Sequence, residues 1–146
     1  MKARELRDYF ISHADWLNPA DTVDTFKHGD PDVEVRSVAV TWMLTLNAID
    51  KVRSLGANLV VTHEPTFWDH FDNPDLVKND PLYAAKLRKL DQAGLTVLRL
   101  HDTWDTWPKI GIGPSLASTL DLTEIEGSDR YRKGRAAGVV YHERAA

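Results

Sequence analysis

The chain has 146 residues, 42% of them hydrophobic and 27% charged, with a net charge of −4 at pH 7. These proportions are ordinary for a globular domain, and they give no reason to expect binding to nucleic acid or to a membrane. No apolar run approaches a membrane span, and the charged first residues lack a signal-peptide core, so we expect a cytoplasmic protein. There is no cysteine, which excludes disulfides and thiolate metal sites.

The chain opens with apolar and aromatic residues at spacings of three and four, which predicts a helix over residues 3–16. A loop rich in Asp, Pro and Gly follows over residues 17–32. Its part 24–30 has the polar side chains and glycine of a binding loop, but a plain surface turn is the favoured interpretation.

Residues 33–62 read as one β-α-β unit. The segment 33–42 alternates and then turns apolar, as in a strand that enters a sheet from an exposed end. Thr45 is a plausible N-cap of the helix, and Gly56 is placed to end it. The strand 58–62 then predicts parallel pairing through a right-handed crossover.

A second unit of the same kind follows. Asp80 can cap a helix over residues 80–93, Pro81 suits the first helical position, and Gly94 can end the helix before a strand at 95–100. Two such units predict an α/β fold with a parallel or mixed sheet flanked by helices.

The last third of the chain gives weaker signals. Residues 111–114 read as a tight loop, residues 115–122 as a short helix, and 139–141 as a last strand. From Gly127 onward there are five basic and two acidic residues. We therefore expect one α/β metal-binding domain at 1–126 and a basic C-terminal segment at 127–146.

Two predicted strands end in a histidine close to a carboxylate. His63 and Glu64 follow the first, where Pro65 stops the strand, and His101 and Asp105 follow the second. In open α/β sheets, ligands bind at the carboxyl ends of the strands. Imidazole and carboxylate together suit zinc, iron or manganese, and such a site makes a nucleophile of bound water. The alternative is that each histidine is a structural, hydrogen-bonded residue.

Several other motifs can be excluded or remain open. His63-Glu64 begins like the zinc-protease motif His-Glu-x-x-His, but Phe67 occupies the last position and Pro65 breaks the required helix. Neither a phosphate-binding loop nor a dinucleotide fingerprint is present. His70 reads as a solvated loop residue. Three of the five Trp residues flank the histidine loops, either as core or interface aromatics or as part of a substrate pocket.

With these motifs in place, the chain resembles the NGG-interacting-factor-three-like family, also known as GTP cyclohydrolase I type 2-like. The segment 55–68 contains Thr-His-Glu-Pro, where the family has Thr-His-His-Pro or Thr-His-Glu-Pro. The later segment His-Asp-Thr-Trp-Asp at 101–105 is similar to the family's His-Thr-Asn-Leu-Asp. The resemblance covers roughly residues 1–140.

This resemblance implies a dinuclear metal centre in the first half of a two-lobed fold, assembled as a homohexamer. It implies that His63 and Asp105 are metal ligands and that Glu64 takes the place of a second histidine ligand. His101 matches a histidine near the metals and is expected to act in catalysis by moving protons. The family's longer chains supply a further His-x-x-x-Glu pair that this sequence lacks, so a single ion is also compatible.

The leading hypothesis is therefore a metal-dependent, hydrolase-like enzyme that acts on a small molecule, with a nucleotide suggested by the family label. The alternative is a metal-binding assembly or regulatory protein that has no turnover of its own. Turnover that depends on His63 would favour the enzyme, whereas assembly that depends on metal alone would favour the second reading.

Overall fold

The computed structural model describes residues 1–108, 110–126 and 140–143. The chain forms two compact units, and each is built from two stretches of sequence: Met1–Tyr9 with Val23–His101, and Phe10–Thr22 with Asp102–Ala146. The helices and strands in chain order are α1 (Ala3–Ser12), β1 (Phe26–His28), β2 (Val38–Thr41), α2 (Leu46–Ser54), β3 (Leu59–Thr62), α3 (Pro81–Ala93), β4 (Thr96–Arg99), α4 (Asp102–Asp105), α5 (Ile112–Thr119), β5 (Leu122–Glu126) and β6 (Val140–Glu143). A single 3₁₀ turn, Pro74–Leu76, lies between β3 and α3.

The first unit is organised on a mixed four-stranded sheet of order β1-β4-β3-β2. The strands β2, β3 and β4 are parallel, and β1 pairs antiparallel with β4 at the edge. The predicted α/β fold is thus confirmed, with the sheet mixed rather than purely parallel. The central strands β3 and β4 are almost wholly buried, as strands covered on both faces must be.

The core of the first unit lies between the sheet and the helices α2 and α3. Val60 and Val97 are register partners on β3 and β4, and both are fully buried. They join a buried apolar cluster with residues of the two helices and of the segments that flank them: Leu44, Ile49, Val52, Ala57, Leu90 and Leu95. The crossover helices therefore hold the two strands whose ends carry the predicted site.

The helix ends follow the predicted capping chemistry. The Thr45 hydroxyl accepts the Ala48 N–H and begins α2, and the Asp80 carboxylate accepts the Leu82 N–H and begins α3. Gly94 ends α3 in the left-handed conformation. The longest helix in the described part of the chain is α3, with 13 residues, and no helix there is long and apolar enough to cross a membrane.

Three expectations for local structure were wrong. The segment 24–30, expected as a surface turn or a binding loop, contains the strand β1, because the β4 edge supplies hydrogen-bond partners. The first helix ends at Ser12 rather than near residue 16. The segment 111–114 is the start of α5 and not a tight loop, since Pro114 falls in the first helical turn, where its missing N–H costs nothing.

In the second unit, aromatic rings gather around Trp107. Its ring centre lies 5.8 Å from that of Phe10, 6.0 Å from that of Trp16 and 6.1 Å from that of Trp104. The Trp16 indole also donates to the Thr106 hydroxyl at 2.6 Å. These contacts favour packing as the role of both tryptophans that follow His101. In the same unit, β5 and β6 pair antiparallel.

A loop of the first unit, residues 63–72, connects β3 to the 3₁₀ turn, and we call it the site loop. It is held from within by Asp72, which is buried and has a left-handed backbone with φ of 56°. The Asp72 carboxylate accepts the N–H groups of Thr66 and Phe67, both at 2.6 Å, and of Trp68 at 3.2 Å. Three backbone donors on one carboxylate give the loop a defined shape.

We expect Gly29→Ala to be the more damaging of two matched glycine substitutions. Gly29 has φ of 80°, and a Cβ there would lie 2.7 Å from both the Leu95 carbonyl oxygen and the Thr96 Cα. Gly94 has φ of 61°, and a Cβ there would have nothing within 4 Å. Gly94→Ala should therefore lower the free energy of unfolding by only about 1–2 kcal/mol, the cost of an alanine in left-handed conformation. Urea unfolding of both variants measures the difference, and equal losses would contradict the close packing of β1 on β4.

We expect Asp72→Asn to lower the free energy of unfolding by about 1.5–3 kcal/mol, because the amide cannot replace charge-assisted bonds to several backbone N–H groups. Asparagine tolerates left-handed backbone, so the loss reports the hydrogen bonds. Asp69→Asn is the matched control, since Asp69 accepts one exposed N–H, from Asn73 at 2.9 Å. If both variants unfold at the same urea concentration, Asp72 does not hold the loop.

Candidate metal centre

The carboxyl end of β3 places His63. After Thr62, the N–H groups of His63 and Glu64 both donate to the Trp42 carbonyl oxygen, at 3.2 and 2.9 Å. The Thr62 hydroxyl donates to the Glu64 carbonyl oxygen at 2.6 Å and closes the turn before Pro65. His63 is buried, and Glu64 is half-buried. The backbone on both sides of the histidine is therefore held by hydrogen bonds.

The His63 imidazole is stacked against two other rings. The Trp42 ring centre lies 4.1 Å away with planes 24° apart, and the His101 ring centre lies 4.5 Å away with planes 20° apart. The Trp42 side chain is still 55% exposed. The sequence predicts Trp42 only as the end of a strand, because nothing in the local pattern links it to a histidine 21 residues later.

The carboxyl end of β4 places His101. The Leu100 N–H donates to the Thr62 carbonyl at 2.9 Å, and the His101 N–H donates to the Asp24 carboxylate at 2.6 Å. Asp24 is fully buried, and its carbonyl accepts the Arg7 Nε–H at 2.8 Å. The loop before β1 thus supplies a buried acceptor that orients His101, which is a positioning role that the sequence interpretation missed.

The structure brings two of the four predicted residues together in the first unit. His63 and His101 follow neighbouring parallel strands, and their rings are in stacking contact. Glu64 is the chain neighbour of His63. Asp105 is the last residue of α4 in the second unit, four residues after His101 in the sequence.

A third imidazole lies beside this pair. His70 is exposed, as the sequence interpretation expected, but its ring centre is 5.2 Å from that of His101, with the planes at 80°. Its position in the site loop follows from the fold of that loop, since His70 is seven residues from His63 in the sequence. Sequence periodicity gives no signal for such a contact.

A partly buried lysine supports the site loop. Lys86 on α3 donates to the Thr66 carbonyl, and its ammonium nitrogen lies 5.9 Å from the centre of the Phe67 ring. Burial lowers the pKa of Lys86, and the nearby Asp72 carboxylate offsets part of that effect. Below the lowered pKa, the cation is available to hold the loop carbonyl.

The chemistry of the paired imidazoles fits a divalent ion. Two nitrogens bound to one zinc at about 2.0–2.1 Å lie roughly 3.3 Å apart at a tetrahedral angle. One ring nitrogen of His63 lies within 4.8 Å of one ring nitrogen of His101, and because the stacked planes are only 20° apart, a rotation of one ring is needed before both lone pairs point at the same ion. Imidazole with carboxylate suits zinc, iron or manganese, whereas a thiolate site is excluded because the chain has no cysteine.

Comparison with known proteins agrees with this architecture. A GTP cyclohydrolase 1 type 2 homolog of Clostridium perfringens is 23% identical over 111 residues, which are 76% of this chain and 41% of that protein. The crystal structure of the Staphylococcus aureus hypothetical protein SA1388 matches 84% of this chain and 34% of its own, with 26% identity and a TM-score of 0.65. The crystal structure of a Bacillus cereus protein related to NIF3 matches 84% of this chain and 33% of its own, with 21% identity and a TM-score of 0.63.

The chain spans less than half the length of these relatives. The family model described as Duf34/NIF3 (NGG1p interacting factor 3) matches residues 8–144, which is nearly the whole sequence. Family and fold therefore agree with the resemblance carried by the two histidine motifs, and the chain belongs to the Duf34/NIF3 family.

Proposed function

We propose that this chain binds a divalent metal ion at the ends of β3 and β4 and acts as a metal-dependent, hydrolase-like enzyme. The observation that carries the proposal is the stacked pair of His63 and His101, which follow neighbouring strand ends and have ring centres 4.5 Å apart. The name of the Clostridium perfringens relative, a GTP cyclohydrolase 1 type 2 homolog, supports a nucleotide as the substrate class.

His63, Glu64 and Asp105 are the proposed ligands of a centre with one or two ions, with zinc, iron or manganese as the metal. When bound, the ion lowers the pKa of a coordinated water and supplies a nucleophile near neutral pH. The N–H groups of His63 and Glu64 bond the Trp42 carbonyl and fix the main chain, and the Trp42 ring stacks on the imidazole, so His63 is held in place before an ion binds. Such preorganisation reduces the ordering cost of binding.

His101 is proposed to take up and return the proton of the reaction. Its main chain is held by the Asp24 carboxylate, and its ring lies in stacking contact with that of His63. Because its ring centre is 4.5 Å from that of His63, His101 is also a candidate for a second imidazole ligand. The two roles differ in one measurable property, which is whether the protein without the His101 imidazole still binds the ion.

Assembly is the other property that the family resemblance suggests. We propose self-association, with a homohexamer as the expected form, and light scattering of the purified chain with and without metal tests it. If metal drives assembly but no substrate is turned over, the alternative reading of a non-catalytic assembly or regulatory protein replaces the enzyme.

We expect purified wild-type protein, loaded with zinc, iron or manganese, to hold about one to two equivalents of metal by elemental analysis. The His63→Ala, Asp105→Ala double variant should lose it, because an imidazole and a carboxylate are removed together. His13→Ala is the control, since His13 is an exposed residue of the second unit, and it should keep the metal. Wild-type protein that holds no metal after loading would refute the metal site.

We expect the metal-loaded protein to turn over at least one member of a panel of nucleotides and phosphoesters, and His63→Ala to abolish that turnover. His101→Ala should bind metal as the wild type does and lose about 10²- to 10⁴-fold in rate, the usual contribution of a proton-transfer group. Loss of metal from His101→Ala would instead make His101 a ligand. Turnover that persists in His63→Ala would show that this site is not the active site.

A further inference from the structure

A buried arginine ends the strand that leads to His101. Arg99 is the last residue of β4 and the register partner of Thr62, the last residue of β3. Its side chain has 0% exposure. A guanidinium keeps its charge at all physiological pH values and presents five donors in a rigid fork, so its complete burial demands specific acceptors.

The acceptors are backbone carbonyls of the site loop. Arg99 Nε donates to the His63 carbonyl oxygen at 2.9 Å, and Arg99 Nη1 donates to the His70 carbonyl oxygen. One side chain therefore joins the first residue of the loop to a residue seven positions later. The Asp72 carboxylate holds the loop from within, while Arg99 fixes it to the end of the sheet.

Stability alone does not account for an arginine at this position. Among the described residues, the guanidinium makes no ion pair, and its Nη2 is buried without a hydrogen-bond partner. A buried charge without a counter-ion is costly, and apolar residues of similar volume are often as stable or more so. The neighbouring positions of β4 are buried apolar or small polar residues, so an apolar side chain would suit the strand.

We propose that Arg99 is a positioning residue of the metal centre, which sets the backbone of His63 and of the His70 segment so that the imidazoles are aligned before an ion binds. This inference rests on the proposed function. Arg99 does not contact the ion or the substrate in this role. Its effect passes through the His63 carbonyl to the ring that stacks on His101.

The test is a Co²⁺ titration of the whole chain, followed by visible absorption, alongside thermal unfolding of the metal-free protein. Arg99→Met removes both donors at similar volume, and we expect Co²⁺ affinity to fall about 10- to 100-fold, the usual effect of losing a group that orients a ligand. The d–d bands should also shift, because coordination geometry changes. Arg99→Lys keeps one charged donor and should recover part of the affinity.

Val97→Ala is the matched control, because Val97 is fully buried on the same strand but belongs to the apolar core. It should lower the melting temperature and leave the Co²⁺ affinity and spectrum within about twofold of wild type. If Arg99→Met does not fold, Arg99→Lys carries the test. An Arg99 variant that folds and binds Co²⁺ as wild type overturns the inference alone, whereas a wild type that binds no Co²⁺ overturns the proposed function and the inference together.

Discussion

The parallel, in-register pairing of β3 with β4 is the constraint on which the proposed metal centre depends. The register sets Leu59 opposite Thr96 and Thr62 opposite Arg99, so both strands end at the same level. His63 follows one strand at once, and His101 follows the other after a single residue. A slip of one residue would turn Val60 or Val97 away from the apolar cluster under the helices, so core packing and site geometry are enforced by the same register.

Side chains, rather than further secondary structure, fix the backbone beyond the strand ends. Asp24 takes the N–H of His101, Asp72 takes three N–H groups of the site loop, and Arg99 donates to two of its carbonyls. All three side chains are buried. A buried polar group destabilises the fold unless it is hydrogen-bonded. Here the hydrogen bonds of the three side chains go to the segments that carry the imidazoles. The site is therefore held by hydrogen bonds on a sheet held by apolar packing.

The regular part of this fold was predictable because local and global signals agree there. Thr45, Asp80 and Gly94 perform the capping roles that their chemistry suggests, and the apolar runs between them are the strands of a parallel sheet. The strand β1 was not predictable from its own residues. It has three residues in a segment rich in turn formers, and its conformation comes from pairing with β4, which is distant in sequence.

The same distinction separates the candidate site residues from the residues that orient them. A histidine beside a carboxylate after an apolar run is a local pattern, so His63 and His101 could be identified from the sequence. Trp42 and Asp24 act through contacts that exist only in the folded chain. Arg99 did leave a signal, since it is the one charged residue in the run 95–100, where a central strand should be buried throughout. A charge at such a position marks either a wrong strand assignment or a specific buried partner.

The predicted site residues come from both units of the chain. His63, Glu64 and His101 belong to the first unit, with its own sheet and apolar cluster, whereas Asp105 belongs to the second. The alignment of the two rings therefore depends on the folding of the first unit. A ligand that is held in place beforehand binds more tightly, because ordering a loose side chain reduces affinity. The buried charges of Asp24, Asp72 and Arg99 supply that order around the strand ends, and their burial is its cost in stability.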